Sequence, residues 1–270
     1  MEDSNGFNII PKAVDAAIQG VTAPPAKEIG KTFEDLIYLA TGPIHFAADK
    51  RRAKYAAELE KFKNGLSQKV ESIPPENLVE PELQVVGPAL EDAKYCLESE
   101  SIREMFENLL AKAADSRYQS KVHPSFSQII KQMSPLDAEN LKYINPQKVL
   151  PIAEYRLERR NPFGFIVVLP NVFLSNVNYI DSLVQQSQSI ESLHRLGLIK
   201  TDYSNRIGND EEYEPFEKTN FFLHFNANHD VYTNKALGIP GPDVSSTLSV
   251  VKGCVYLTTL GESFYEVCLK

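Results

Sequence analysis

Apolar residues recur three and four positions apart, with charged residues between them, from residue 8 to residue 144. Prolines and Gly-Pro or Ser-Pro pairs interrupt this pattern, and each uninterrupted stretch predicts a helix. The predicted helices are 8–22, 27–40, 43–73, 81–97, 102–113, 123–133 and 135–144. Ser99 or Ser101 and the pair Ser134-Pro135 are suitable first residues for two of them. The first half of the chain is therefore predicted to be helical throughout.

The pattern changes after Pro146. The runs VLPIAEYRLER and FGFIVVLPNVF predict two strands, and 178–187 and 189–196 predict two short helices, the second ended by Gly197. Residues 204–247 predict a long excursion between two paired strands, with a further strand in TNFFLHF. The end of the chain predicts a strand in SVVKGCVYL, a cap at Thr258 or Thr259, and a final helix.

These elements predict a mainly α, α+β fold in two parts. Residues 1–133 are expected to form an N-terminal helical bundle. Residues 134–270 are expected to form a winged-helix-like α/β unit, with helix 135–144 as its first helix and the hairpin of 149–173 inserted into it.

Composition narrows the class of protein. Of 270 residues, 43% are hydrophobic and 24% are charged, which is typical of a folded globular chain. Cys96, Cys254 and Cys268 lack the spacing of a zinc site or a disulfide scaffold. The start of the chain has no signal-peptide pattern, and the uncharged stretch 36–48 falls short of the ~20 residues of a spanning helix. We therefore expect a cytoplasmic protein.

Three stretches of the chain resemble the Abi-alpha (abortive infection alpha) family of bacterial proteins. They are ATGPIHFAADKRRAKYAAELEKF (40–62), ESESIREMFENLLAKAADSRYQSKVHPSFSQIIKQMSPLDAENLKYI (98–144) and IESLHRLGLI (190–199). The resemblance implies a role in defence against phage. It implies no catalytic residues, because the family supplies no agreed biochemical activity.

The residues themselves offer no recognisable reaction chemistry. The five histidines show no HExxH spacing, and the chain has no GxSxG motif and no glycine-rich phosphate loop. We therefore expect no cofactor and no metal, and we interpret the protein as a non-enzyme. A hydrolase with a site that one sequence does not reveal remains an alternative.

A basic group follows the uncharged stretch 36–48. It consists of Lys50, Arg51, Arg52 and Lys54. Apolar residues followed by basic residues are typical of a helix that lies in a lipid headgroup layer. An alternative hypothesis is therefore an effector that associates peripherally with the inner membrane through residues 29–54. A buried helix followed by a charged turn explains the same pattern.

The second of the two predicted helices in 178–196 is the candidate interaction helix, and it exposes Glu191, His194 and Arg195. A net charge of −8 and the acidic run NDEEYEPFE oppose binding of nucleic acid by this part of the chain. The leading hypothesis is a phage-defence protein that acts through protein contacts with itself or with a phage or host component. The long helix 43–73 is also compatible with a homodimer.

Overall fold

The computed structural model describes residues 49–159, 163–175, 183–228 and 247–270. The predicted helices 8–22 and 27–40 lie outside the described residues, as does most of the segment 29–54. The side chains of Lys50, Arg51 and Arg52 also lie outside them.

The described chain combines helices with one sheet. The helices are α1 (Asp49–Glu71), α2 (Leu83–Ala93), α3 (Glu100–Ala113), α4 (Phe126–Gln132), α5 (Pro135–Tyr143), α6 (Leu183–Arg195), α7 (Glu214–Glu217), α8 (Asn220–Ala227) and α9 (Thr259–Phe264). A π-helical turn at Tyr265–Leu269 continues α9, and short 3-10 turns lie at Pro75–Asn77 and Asp210–Tyr213. The strands are β1 (Leu150–Arg159), β2 (Gly164–Val172), β3 (Ile199–Asp202) and β4 (Ser249–Leu257).

The four strands form one antiparallel sheet in the order β2-β1-β4-β3. β1 pairs with β2 in the predicted hairpin, and β4 lies between β1 and β3. Because β3 pairs with β4, the chain that leaves the sheet after Asp202 returns to it at Ser249, as predicted, and its described part contains α7 and α8.

Several helix boundaries follow the local signals in the sequence. Ser134 and Asp137 form a reciprocal capping box at the start of α5, and Pro135 occupies the first turn. The Thr258 hydroxyl accepts a hydrogen bond from the Gly261 N–H at the start of α9. Gly197 follows α6 with a φ of 75°, a left-handed conformation that glycine adopts without strain.

The prediction of two short helices before Gly197 was wrong within the described residues. Leu183–Arg195 is a single helix, with Ser187 and Ser189 in its interior. Ser187 does not interrupt the helix because its hydroxyl donates to the Pro170 carbonyl on β2, and packing outweighs its weak helix propensity.

The prediction of a strand in TNFFLHF was also wrong, because this segment forms α8. The Thr219 hydroxyl accepts a hydrogen bond from the Phe222 N–H and so caps the helix. Helical spacing brings the rings of Phe221 and Phe222 to 5.9 Å and 5.3 Å from that of Tyr155 on β1. Aromatic burial against the sheet thus outweighs the strand propensity of the segment.

Two clusters of buried apolar residues lie within the described chain. The larger cluster joins α1–α6 with the C-terminal segment, and it contains residues from both sides of position 133, such as Phe126 and Phe264. The smaller cluster lies between the sheet and residues of 207–225, with Tyr155, Tyr213 and Phe216 at its centre. The division into domains at 133 and 134 stays a prediction.

Candidate interaction surface

Strand β2 places exposed apolar side chains along an outer edge of the sheet. Phe163, just before the strand, is 95% exposed, and Phe165 and Val167 are 51% and 41% exposed. Among the described residues, no strand pairs with β2 on the side away from β1. We define the β2 surface as Phe163, Phe165 and Val167 together with Arg156 and Glu158 of β1.

The alternation of side chains along a strand explains this exposure. Ile166 and Val168 point to the opposite face of β2 and pack against the smaller core. Phe165 lies opposite Glu158, and Val167 lies opposite Arg156. The apolar residues of β2 therefore share a face with charged residues of β1.

Arg156 is held in place on this face by two neighbours. Its guanidinium carbon lies 3.9 Å from the centre of the Phe165 ring, and its Nε forms an ion pair with Glu154. On the same face, the Ser249 hydroxyl donates to Glu158 at 3.2 Å. The β2 surface thus presents a fixed cation, a carboxylate and apolar side chains side by side.

A buried tyrosine supports the inner end of β2. The Tyr203 hydroxyl lies 3.2 Å from the Ala153 carbonyl oxygen and 3.2 Å from the Asn171 Oδ1. These two oxygens are the acceptors for its single proton. Asn171 has a φ of 48°, which only a few non-glycine residues adopt. Burial, and then the nearby Glu154, raises the pKa of the Tyr203 hydroxyl, so it stays a neutral donor.

Close packing of Tyr203 on β4 depends on Gly253. A Cβ at position 253 would lie 2.6 Å from the Tyr203 ring and 2.8 Å from the Asp202 carbonyl. These contacts fix β2 against the rest of the sheet through the Tyr203 side chain. The β2 surface is therefore a supported edge of the sheet.

An exposed apolar edge strand is suited to one kind of interaction. Its outward N–H and C=O groups can pair with another strand, and its alternate side chains can contact that strand. Contiguous exposed apolar residues mark sites of protein contact more often than single exposed ones. The arrangement is thus suited to binding an extended polypeptide segment.

The predicted basic group is only partly described. Lys54 is exposed and forms a 2.7 Å ion pair with Glu98, which offsets its charge. The backbone of Lys50, Arg51 and Arg52 belongs to α1. Within the part of the chain that the structure describes, every helix is too short or too polar to cross a membrane.

The predicted interaction helix, α6, does expose Glu191, His194 and Arg195. The His194 Nδ1 lies 3.2 Å from the Thr201 hydroxyl of β3, and the Arg195 guanidinium donates to the Gln132 side chain at 3.1 Å. The structure does not bring these residues close to Lys54 through any contact among the described side chains. They form a separate polar surface.

The titratable groups of the described residues form no catalytic arrangement. Burial raises the pKa of Glu107 to about 7, and this carboxyl packs against Gly65 of α1. Burial also raises the pKa of all three cysteine thiols, which lowers their reactivity. Among the described residues, no group of three His, Cys, Asp or Glu side chains could bind a metal ion.

Sequence patterns missed the β2 surface. The run FGFIVVL is apolar on both faces, so its composition predicts a strand buried on both sides. The signal that distinguishes the faces is the pairing partner, because Arg156 and Glu158 of β1 are charged at the positions opposite Val167 and Phe165.

Comparison with known proteins places the chain in a family. A family model described as abortive infection alpha matches residues 54–268, a range that includes β2, α6 and the C-terminal helix. No curated protein and no solved structure matches the chain. Since the match covers most of the 270 residues, the chain belongs to the abortive infection alpha family.

Proposed function

We propose that the protein acts in abortive infection through a protein contact made by the β2 surface, and not through catalysis. The observation that carries this proposal is the exposure of Phe163, Phe165 and Val167 beside a strand edge to which no described strand is paired. Membership of the family supports the abortive-infection role. The contact itself is our inference from the surface.

The proposed partner is an extended segment of another protein with apolar side chains at alternate positions. Such a segment adds a strand to β2 through backbone hydrogen bonds and covers Phe165 and Val167. Each partner of a standard protein interface buries about 800 Å² of its surface. The three apolar side chains of the β2 surface offer a smaller area than this. This small area favours an added strand over a globular partner.

We further propose that α5, α6, β3 and β4 form a winged-helix-like unit into which the β1–β2 hairpin is inserted. The succession of α6, Gly197 and β3, followed by the pairing of β3 with β4, supports this description. In this arrangement the hairpin projects β2 at the far edge of the sheet from β3. The exposed face of α6 and the β2 surface are then two separate contact surfaces.

The test compares Phe165→Ser with the wild-type protein in a host strain in which the wild-type chain reduces phage plating. Removing the ring takes away the largest apolar contact of the strand and the partner of Arg156. We expect Phe165 to be one of the few residues that dominate the contact, and truncating such a residue costs ~1 kcal/mol of binding or more, about a fivefold weaker contact. We therefore expect phage plating to rise toward that of a strain without the protein.

Leu83→Ser is the matched control, since Leu83 on α2 is 65% exposed but lies outside the sheet. It should leave phage plating at the wild-type level. Circular dichroism should show that both variants fold. Full protection by folded Phe165→Ser, or equal loss in both variants, would contradict the proposed contact.

A further inference from the structure

The contact between α5 and α6 contains a cluster of polar side chains inside the larger core. Asp137 and Asn140 of α5 are 3% and 0% exposed, and Gln186 and Ser189 of α6 are 5% and 4% exposed. Ser192 lies on the same helix, one turn after Ser189. We call these five residues the α5–α6 polar cluster.

The Asn140 side chain uses its donors but not its acceptor. Its Nδ2 donates to the Gln186 Oε1 at 2.8 Å and to the Ser189 Oγ at 2.9 Å. Both amide hydrogens are therefore engaged with α6. The Oδ1 of Asn140 is buried and accepts no hydrogen bond from the described residues.

Asp137 shows the same imbalance. Its Oδ2 accepts from the Ser134 N–H at 2.8 Å and from the Ser192 hydroxyl at 3.3 Å. Its Oδ1 is buried and accepts nothing from the described residues. No described Lys, Arg or His forms an ion pair with this carboxylate, whereas the buried Asp92 pairs with Lys131 at 2.7 Å.

The cluster thus has an excess of acceptors. Asp137 and Asn140 lie three residues apart on α5, so they share the face that contacts α6. Ser189 and Ser192 lie three residues apart on the facing helix. The donors described above are already engaged, and the two buried Oδ1 atoms accept no hydrogen bond from the described residues, which is costly inside a protein. The Asp137 carboxylate accepts two hydrogen bonds at its Oδ2, but no described cation forms an ion pair with it.

We propose that the α5–α6 polar cluster binds a monovalent alkali cation, with the Oδ1 atoms of Asp137 and Asn140 as its two protein anchors. Carboxylate, amide and hydroxyl oxygens are hard ligands of the kind that such cations prefer. One carboxylate matches a single positive charge, whereas divalent sites usually recruit more acidic ligands.

A buried water molecule is the main competing occupant. One water supplies two hydrogens, enough for both Oδ1 atoms, but it brings no charge to offset that of Asp137. The two occupants therefore differ in a measurable way. A cation makes stability depend on which salt is present, whereas a water does not.

The first experiment measures the thermal midpoint of the full-length wild-type chain in NaCl, KCl and choline chloride at equal ionic strength. Binding to the folded state alone raises the midpoint as the cation concentration exceeds its dissociation constant. At tenfold excess we expect a rise of about 3 °C in NaCl or KCl over choline chloride. Equal midpoints in the three salts would overturn the proposal.

Asp137→Asn removes the charge while keeping the shape of the side chain, and it should abolish the difference between salts. Asp92→Asn is the matched control, because Asp92 is equally buried but has Lys131 and Gln128 as partners. It should keep the wild-type salt response. A salt response that persists in Asp137→Asn contradicts this site.

The second experiment does not depend on any variant. Crystals of the wild-type protein grown with RbCl in place of NaCl should show an anomalous difference peak in contact with the Asp137 and Asn140 Oδ1 atoms. Rubidium scatters anomalously and water does not. Density at this position without an anomalous signal would identify a water and refute the cation.

Discussion

At the scale of single residues, Glu107 is a buried carboxyl whose pKa is raised far above its ordinary value. It is 6% exposed, and its Oε2 lies 2.4 Å from the point where a Cβ on Gly65 would be. Burial raises its pKa to about 7, although Lys69 and Arg103 oppose the shift. The absence of a side chain at Gly65 thus makes room for a carboxyl between α1 and α3.

The raised pKa predicts that stability falls as the pH rises from about 4.5 to about 7. The folded state keeps the Glu107 proton at pH values where the unfolded state, with its ordinary pKa of 4.5, has released it. The contribution of Glu107 to the free energy of unfolding is therefore fully present below pH 4.5. It is lost as the pH rises through about 7. Glu107→Gln should remove this loss. The difference in free energy of unfolding between the variant and the wild type should therefore be about 2 kcal/mol more favourable to the variant at about pH 8 than at about pH 5.

Chemical denaturation at a series of pH values measures this difference. Glu104→Gln is the control, because the Glu104 side chain is 48% exposed and pairs with Lys142 on the surface. It should follow the wild-type pH profile closely. If Glu107→Gln also does so, the carboxyl is not buried between α1 and α3 as described.

At the scale of elements, the start of α9 lies close against the backbone at the start of β3. The Thr258 hydroxyl donates to the Gly197 carbonyl at 2.6 Å, and the Thr258 N–H donates to the Leu198 carbonyl at 3.0 Å. A Cβ on Gly261 would lie 1.9 Å from the same Leu198 carbonyl oxygen. Only glycine allows this approach without moving the helix.

Gly261→Ala should therefore lower the free energy of unfolding by about 3 kcal/mol, since a backbone carbonyl cannot swing aside as a side chain can. Gly87→Ala provides the contrast. Gly87 is inside α2 with nothing within 4 Å of its Cβ position, and the gain in helix propensity from alanine is opposed by the following Pro88, so alanine there should change stability by less than about 1 kcal/mol. Urea denaturation of both variants measures the two effects. A neutral Gly261→Ala would contradict the close packing of α9 on Leu198.

At the scale of the whole molecule, the C-terminal segment ties the helices to the sheet. The Phe264 ring is fully buried and meets the Phe126 ring edge-on at 5.1 Å. The Asn108 side chain donates to the Cys268 carbonyl at 2.9 Å, and the Lys112 ammonium donates to the Glu266 carbonyl at 2.6 Å. The last residues of the chain therefore contribute to the same core as α3 and α4.

Phe264→Ala should lower the free energy of unfolding by about 3–5 kcal/mol, the usual cost of a large cavity in a core. Because Phe264 packs in a cluster shared with α3, amide hydrogens of α3 should exchange faster together with those of β4. Hydrogen exchange followed by mass spectrometry measures this. Unchanged protection of α3 would show that residues on the two sides of position 133 unfold independently.

Sequence patterns predicted the elements whose signals are local. The helix start at Ser134-Pro135, the end of α6 at Gly197 and the strands of the β1–β2 hairpin were all recognisable, and the C-terminal cap was narrowed to Thr258 or Thr259. In each case the residues that make the decisive hydrogen bond or adopt the special φ lie within a few positions of one another. The family was recognisable for a related reason, since matching residues are read directly from the chain.

Tertiary structure alone decided the features that depend on distant partners. Phe221 and Phe222 are helical because Tyr155, over 60 positions earlier, lies beneath them. The unpaired oxygens of Asp137 and Asn140 become significant only when α6 packs over them, 46 or more residues later. The β2 surface is exposed because one face of an apolar strand lies beside charged residues of β1. The sequence by itself determined the local hydrogen bonds and the family. The tertiary structure decided which side chains are buried, because burial depends on what covers each side chain in the folded chain.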